Sequence, residues 1–316
     1  SFQYRLQTDA FVGRLDLDEQ GLGRYVEALL GDWPRCRKQR GKPLVWAVDH
    51  GHPDITRLMR KTIAERLAQR FAEDPDAEFA MAGGLHSDGE ATHAALIAAL
   101  AERDPAFVMT SSHGATFPLD DPAALRATLG LPVDQGRTPM NLAALSAWNP
   151  YGAIWYAHAC CSAGADGESR FAGIVGADST LGRTLAGIAT AGACQAPLPR
   201  ALLGGANPAR AFVGHVEPTF DWTLRDPVNG QSTTQSIIDA FYGHLHLASS
   251  PPIGLALKEY FDAVGGLLQD YGDAIDALNA HVPGAEERAR RSKLIAYDRL
   301  AMVILGDPTV RLPGAE

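Results

Sequence analysis

A chain of 316 residues that is 46% hydrophobic and 21% charged has the balance of a folded protein with a sizeable core. Its formal charge of -9 and its lack of any basic run argue against nucleic acid or an anionic membrane surface as the main partner, and make a basic peptide the better electrostatic match. No stretch reaches the roughly 18 uninterrupted apolar residues of a membrane helix. The opening SFQYRLQTDAF shows no signal-peptide pattern, and four cysteines, two of them adjacent, make a poor disulfide framework, so a reducing, cytoplasmic setting is expected.

In chain order, FVGRLDLDEQGLGRYVEALL predicts a short strand and a helix from about Asp18 to Leu30, followed by a basic loop. KPLVWAVDHGHPD reads as a buried strand from Pro43 to Val48 that ends at Asp49. ITRLMRKTIAERLAQRF then carries apolar residues at helical spacing. AEFAMAGG predicts the next strand, GEATHAALIAALAERD the next helix, and PAFVMTSSHG a strand ending at His113. This alternation is the pattern of βαβ units and a parallel sheet.

From Asp120 to Pro150 the pattern loosens into short helices and loops, before GAIWYAHACCSAG reads as another buried strand. The Gly-rich stretch that follows has a helical middle. ARAFVGHVEPTFDW predicts a strand with aromatic and acidic residues at its end, and IGLALKEYFDAVGGLLQD and AEERARRSKLIAYDRLAMVIL predict two late helices. The expected organisation is one α/β domain over 41–316, with a strand-helix segment, 1–40, packing on or completing its sheet.

Two of these strands carry the chemistry. Ligand crevices in open α/β sheets lie beyond the carboxyl ends of the strands, so His113 and Cys160 share a cleft if their strands are neighbours. A thiol with an ordinary pKa near 8.5 needs a neighbouring imidazole or helix dipole to act as thiolate. Gly114, with no Cβ, lets its amide approach a substrate carbonyl, and with the amide of Cys160 it could form an oxyanion hole. Against this stand the plainer roles of a buried cysteine as a small hydrophobe and of a strand-end histidine as a hydrogen-bonded core residue.

The chain resembles the gingipain-type cysteine peptidases of the caspase-like clan, which also holds metacaspases, legumains and the CHAT proteases. FVGRLDLDEQGLGRYVEALL looks like the family's first strand and helix, and LVWAVDHG like the strand ending in Asp. SSHGATF resembles the His-Gly motif and YAHACCSAG the hydrophobic block closing in Ala-Cys and a Gly. AFVGHVEPTFDW is similar to the strand bearing an aromatic wall of the S1 pocket, and LGDPTVRL to the terminal Gly-Asp-Pro signature.

The resemblance implies a caspase-like (caspase-hemoglobinase) α/β fold with a mostly parallel central sheet and helices on both faces. It implies His113 as general base and acid, Cys160 as nucleophile, and the amides of Gly114 and Cys160 as oxyanion donors. The reaction would be hydrolysis of a polypeptide substrate through an acyl-enzyme, with no cofactor or metal. The doubled Cys160 and Cys161 leaves the nucleophile open; Ala159-Cys160 fits the Ala-Cys pattern, and strand alternation puts the two thiols on opposite faces.

Phe220, Trp222, Glu217 and Asp221, with Asp166 and Glu168 after the cysteines, are the candidates for lining S1. An acidic wall there would select Arg or Lys at P1, although each carboxylate could equally be a solvated loop charge. Asp49 either orients His113 or caps the next helix. Caspase-like peptidases are often held inactive until cleavage or a protein partner rearranges the cleft; the Gly-rich 163–194 is the expected loop, with Arg170 and Arg183 as self-cleavage points.

Two other readings compete. His50-x-His52-x-Asp54 resembles the first metal-binding motif of metallo-β-lactamase-type hydrolases, with His244 and His246 as further ligands for zinc. Ile55, however, stands where that motif needs another His. The third is a non-catalytic caspase-like binding module.

Overall fold

The computed structural model describes residues 3–7, 9–82, 91–226 and 229–314. Short apolar runs form a seven-stranded sheet from Gly13–Arg14 (β1), Leu44–Ala47 (β2), Ala80–Ala82 (β3), Phe107–Ser111 (β4), Ile154–His158 (β5), Ala211–His215 (β6) and Met302–Gly306 (β7). The strand order is β1-β7-β6-β5-β4-β2-β3. Strands β3, β2, β4, β5 and β6 run parallel, β7 is antiparallel to β6, and β1 pairs parallel with β7 at the edge. Every residue of β2, β4, β5, β6 and β7 is buried. Such strands need cover on both faces, which is why they read as continuous apolar runs rather than alternating ones.

The helices that supply this cover are capped by the residues that begin them. Asp18 accepts the amide of Gly21 and starts Glu19–Leu30 (α1). Asp54 accepts the amide of Thr56 and starts the helix over 55–73 (α2), which widens into a π-turn at Arg60–Ala64. Thr92 caps His93–Arg103 (α3), and Ser179 caps Thr180–Ala189 (α4). Pro197–Gly204 (α5) packs on α1. Lys258–Asn279 (α6) and Ala285–Ala301 (α7) pack on one another. Among the described residues, no helix is long and apolar enough to cross a membrane.

The segment ahead of β2 is tied to the far end of the chain. The Tyr25 hydroxyl donates to the carbonyl of Arg210 at 2.6 Å and accepts the amide of Asp307 at 2.7 Å, joining α1 to the ends of β6 and β7. Gln3 and Gln7 donate from their side chains to the carbonyls of Ile304 and Leu300.

Three elements differ from the sequence expectations. AEERARRSKLIAYDRLAMVIL is not helical throughout: α7 stops at Ala301 and Met302–Gly306 becomes β7. A five-residue apolar run fits a buried strand as well as a helix, and only the open edge beside β6 decides it. His113–Gly114 does not continue β4 but pairs antiparallel with Pro132–Val133. The helix α5 was hidden by two prolines, both of which sit in its first turn, where a missing N–H costs nothing. The Gly83–Gly84 end of the third expected strand and the Gly89–Glu90 start of the helix after it lie outside the described residues.

Candidate active site

β4 and β5 are hydrogen-bonded neighbours, with Ser111 opposite His158 at their carboxyl ends. The chain leaves β4 through Ser112 to His113 and leaves β5 through Ala159 to Cys160, so both candidate residues emerge at one rim of the sheet. Gly114 fixes how close they come. A Cβ built on Gly114 would fall 1.8 Å from the carbonyl oxygen of Cys160 and 3.2 Å from its nitrogen, so only glycine allows this backbone approach.

The His113 imidazole is oriented by a carboxylate. Its Nε2 lies 2.9 and 3.0 Å from the two carboxylate oxygens of Asp54. Desolvation works to raise the Asp54 pKa, but the hydrogen bonds from His113 and from the amide and hydroxyl of Thr56 outweigh it and hold the carboxyl down at about 2. An ionised carboxylate only accepts, so Nε2 carries the proton and donates it, leaving the lone pair on Nδ1. Asp54 thus caps α2 and aims the imidazole.

The carboxylate that meets His113 is therefore Asp54, five residues beyond the expected Asp49. Asp49 instead accepts the amide of Gly51 and lies 3.7 Å from Arg57. A sequence signal existed: an Asp immediately ahead of an amphipathic helix is a cap candidate, and capping leaves its other lone pairs available.

The two cysteines are turned to different surroundings. Cys160 is partly exposed, and its thiol donates to the carbonyl of Thr219 at 3.6 Å. Burial pushes this thiol up to about 11, against the lowering effect of that carbonyl contact and with some help from the charge of Asp298. Cys161 takes a left-handed backbone (φ 54°) and is fully buried among Leu125, Leu129, Ala165, Ile188 and Ala191. Burial holds its thiol well above the ordinary cysteine value.

The turn after β5 is stitched to the loop after β6. The amide of Cys161 donates to the carbonyl of Glu217, that of Ala163 to His215, and Ser162 Oγ joins Ala157 to the His215 amide. The β6 loop is held from beneath by Asp298 of α7, fully buried, which accepts from the Phe220 amide at 3.3 Å and the Thr223 hydroxyl at 2.9 Å. Burial lifts its carboxyl to about 7. Nothing local in the sequence AYDRLA distinguishes this aspartate, because its partners arrive from 75 or more residues away.

Four of the expected S1 residues, Glu217, Phe220, Asp221 and Trp222, lie along this loop. Phe220 and Trp222 pack with ring centres 4.5 Å apart. Phe171, fully buried, stands edge-on to Phe220 at 5.2 Å and also meets Trp222 and Tyr297, so the chain's own Ser169–Phe171 loop covers the aromatic wall. Glu217 is buried as well, and its carboxylate accepts from Ser169 Oγ at 2.7 Å and the Arg170 amide at 2.9 Å. Burial raises its pKa despite those bonds. Asp221 lies 3.5 Å from Arg225. Asp166 is half-buried and Glu168 exposed. Arg183 is exposed in the first turn of α4, while the Arg170 guanidinium lies over the Tyr297 ring.

The alternative histidine motif is regrouped. His52 is exposed, and His246 pairs with Asp74 and packs against Phe71 and Tyr242. The residues brought together are His50, Asp54 and His113, one ligand atom from each lying within 4.8 Å of the others. Comparison of the chain with family models, with curated proteins and with solved structures gave no match.

Proposed function

We propose that the protein is a cysteine endopeptidase of the caspase-like, gingipain type, with Cys160 as nucleophile and His113, held by Asp54, as general base and acid. The observation that carries this reading is that an oriented imidazole and a cysteine leave the carboxyl ends of adjacent parallel strands at one rim of the sheet, with the Gly114 backbone against that of Cys160. His113 Nδ1 takes the thiol proton, and sulfur attacks the carbonyl carbon of the peptide bond. The amides of Gly114 and Cys160 face the resulting oxyanion. The imidazolium, stabilised by ionised Asp54, then protonates the leaving amine, and water hydrolyses the acyl-enzyme with His113 again as base.

In the resting arrangement the thiol bonds the Thr219 carbonyl and its high pKa keeps it protonated. The Ser169–Phe171 loop rests on the aromatic wall. Both features fit a peptidase activated when the loop in 163–194 shifts, through self-cleavage at Arg170 or Arg183 or through a protein partner. The buried Glu217 would become available to a basic P1 side chain only once Ser169 and Arg170 release it.

The test is a P1 scan with fluorogenic peptides on the wild-type protein, Cys160→Ala and Cys161→Ala, before and after limited proteolysis. Cys160→Ala should lose at least roughly a thousandfold in kcat/KM, as removal of a covalent nucleophile does, while Cys161→Ala keeps measurable turnover. Full activity in Cys160→Ala would overturn the proposal.

A further inference from the structure

The peptidase scheme uses His113 and Asp54 but leaves the neighbouring His50 without a part. Its ring lies stacked on His113, centroids 5.6 Å apart and planes 15° from parallel. Its Nε2 is 3.1 Å from the carbonyl oxygen of Asp134. A carbonyl only accepts, so Nε2 is the protonated nitrogen and Nδ1 carries the lone pair. That Nδ1 is buried and, among the described residues, has no hydrogen-bond partner. A backbone carbonyl fixing one imidazole nitrogen so that the other presents its lone pair is how proteins prepare a histidine ligand for a metal.

We propose that His50, Asp54 and His113 form an inhibitory site for a zinc-type divalent cation. Two imidazoles and a carboxylate suit a borderline cation such as zinc rather than calcium or magnesium, which favour all-oxygen sets. Their ligand atoms lie within 4.8 Å of one another, and tetrahedral zinc at about 2.0–2.1 Å from nitrogen or oxygen requires separations of about 3.4 Å, so the wider pairs must close and a His113 Nε2–Asp54 pair, at 2.9–3.0 Å, must open slightly. The Arg137 guanidinium, 3.9 Å from Asp54, is exposed and free to swing outward as the cation enters.

Occupancy removes the base by simple proton accounting. If His113 binds through Nδ1, its lone pair is consumed. If it binds through Nε2, the proton on that nitrogen leaves, the neutral ring carries its proton on Nδ1 instead, and the Asp54 hydrogen bond is replaced by ligation. In both cases His113 can no longer accept the Cys160 proton. The inhibitory consequence rests on the peptidase reading; the site itself does not.

The test separates the two. Zinc binding to Cys160→Ala protein is measured by competition with a chromogenic chelator, alongside Cys160→Ala carrying His50→Ala or Asp54→Asn. One zinc per chain is expected at this site, with affinity weakened about tenfold or more in each double variant and no competition from millimolar calcium. Affinity unchanged by both substitutions would overturn the site, because the zinc would then be held elsewhere, for example by Cys36 or Cys194. In parallel, zinc should inhibit wild-type peptide hydrolysis reversibly, and His50→Ala should need about tenfold more zinc for the same inhibition. Zinc binding with an uninhibited peptidase would overturn the inhibitory role. Binding without any peptidase activity would leave the site standing and remove the peptidase reading on which the inhibition rests.

Discussion

Histidines stand at the carboxyl ends of three adjacent strands, and their surroundings differ completely. Past β4, His113 is about one-third exposed and faces an ionised carboxylate. At the ends of β5 and β6, His158 and His215 are fully buried, pack edge-to-face at 4.8 Å, and have the Tyr156 hydroxyl on His158 Nδ1 but, among the described residues, no carboxylate. Burial drives both downward, His215 to about 3. An imidazole becomes a base when a carboxylate can stabilise its charged form and solvent or substrate can reach it. Without those it is a polar core residue that packs like an aromatic ring.

The largest effect that sharpens this contrast is expected at Asp54. Asp54→Asn should leave the fold intact but release His113 from its proper tautomer, lowering kcat roughly a hundredfold to ten-thousandfold with little change in KM. If kcat in Asp54→Asn stays within a factor of about three, the carboxylate is only a helix cap.

A smaller effect is expected where the strands' loops touch. Gly114→Ala places a methyl group against the Cys160 carbonyl, so one backbone must move. A loss of about 1–3 kcal/mol in denaturant unfolding, with a fall in peptidase rate, is expected. An unchanged midpoint would mean that the two turns can separate freely.

The smallest effect per unit is on the other side of the comparison. Unfolded His215 takes a proton near 6.5, whereas the fold keeps it neutral down to about 3, so the unfolded chain binds more protons and stability falls as pH drops through that window. Asp298 acts in the opposite direction, since its raised pKa favours the folded state on protonation below about 7. The difference between wild type and His215→Phe isolates the histidine. The variant's relative stability should rise by about 1.4 kcal/mol for each pH unit below 6.5, as read by urea unfolding at pH 7, 6 and 5. A flat difference would show that His215 takes up its proton in the fold as readily as in the unfolded chain.

The same contrast explains what was legible in the sequence. Strands β2, β4, β5 and β6 could be read because each is a short apolar run buried on both faces and flanked by small or turn residues. The rim positions of His113 and Cys160 followed from where those runs end. β7 was not separable from the helix before it, because MVIL fits either state until β6 offers an edge. Asp54, Asp298 and Phe171 were not assigned their places, since each is defined by partners distant in the chain: His113, the Phe220 turn and the Phe220–Trp222 pair. Spacing reports what a segment does to itself, and these side chains act across the sheet.

The central claim is tested most directly by thiol alkylation read out by peptide mass spectrometry, comparing wild type with His113→Ala after proteolytic activation. A nucleophile paired with His113 predicts modification of Cys160 ahead of Cys36, Cys161 and Cys194, and a rate at neutral pH that drops at least about tenfold in His113→Ala. Cys160 reacting no faster than the other thiols, or at the same rate without His113, would contradict the dyad.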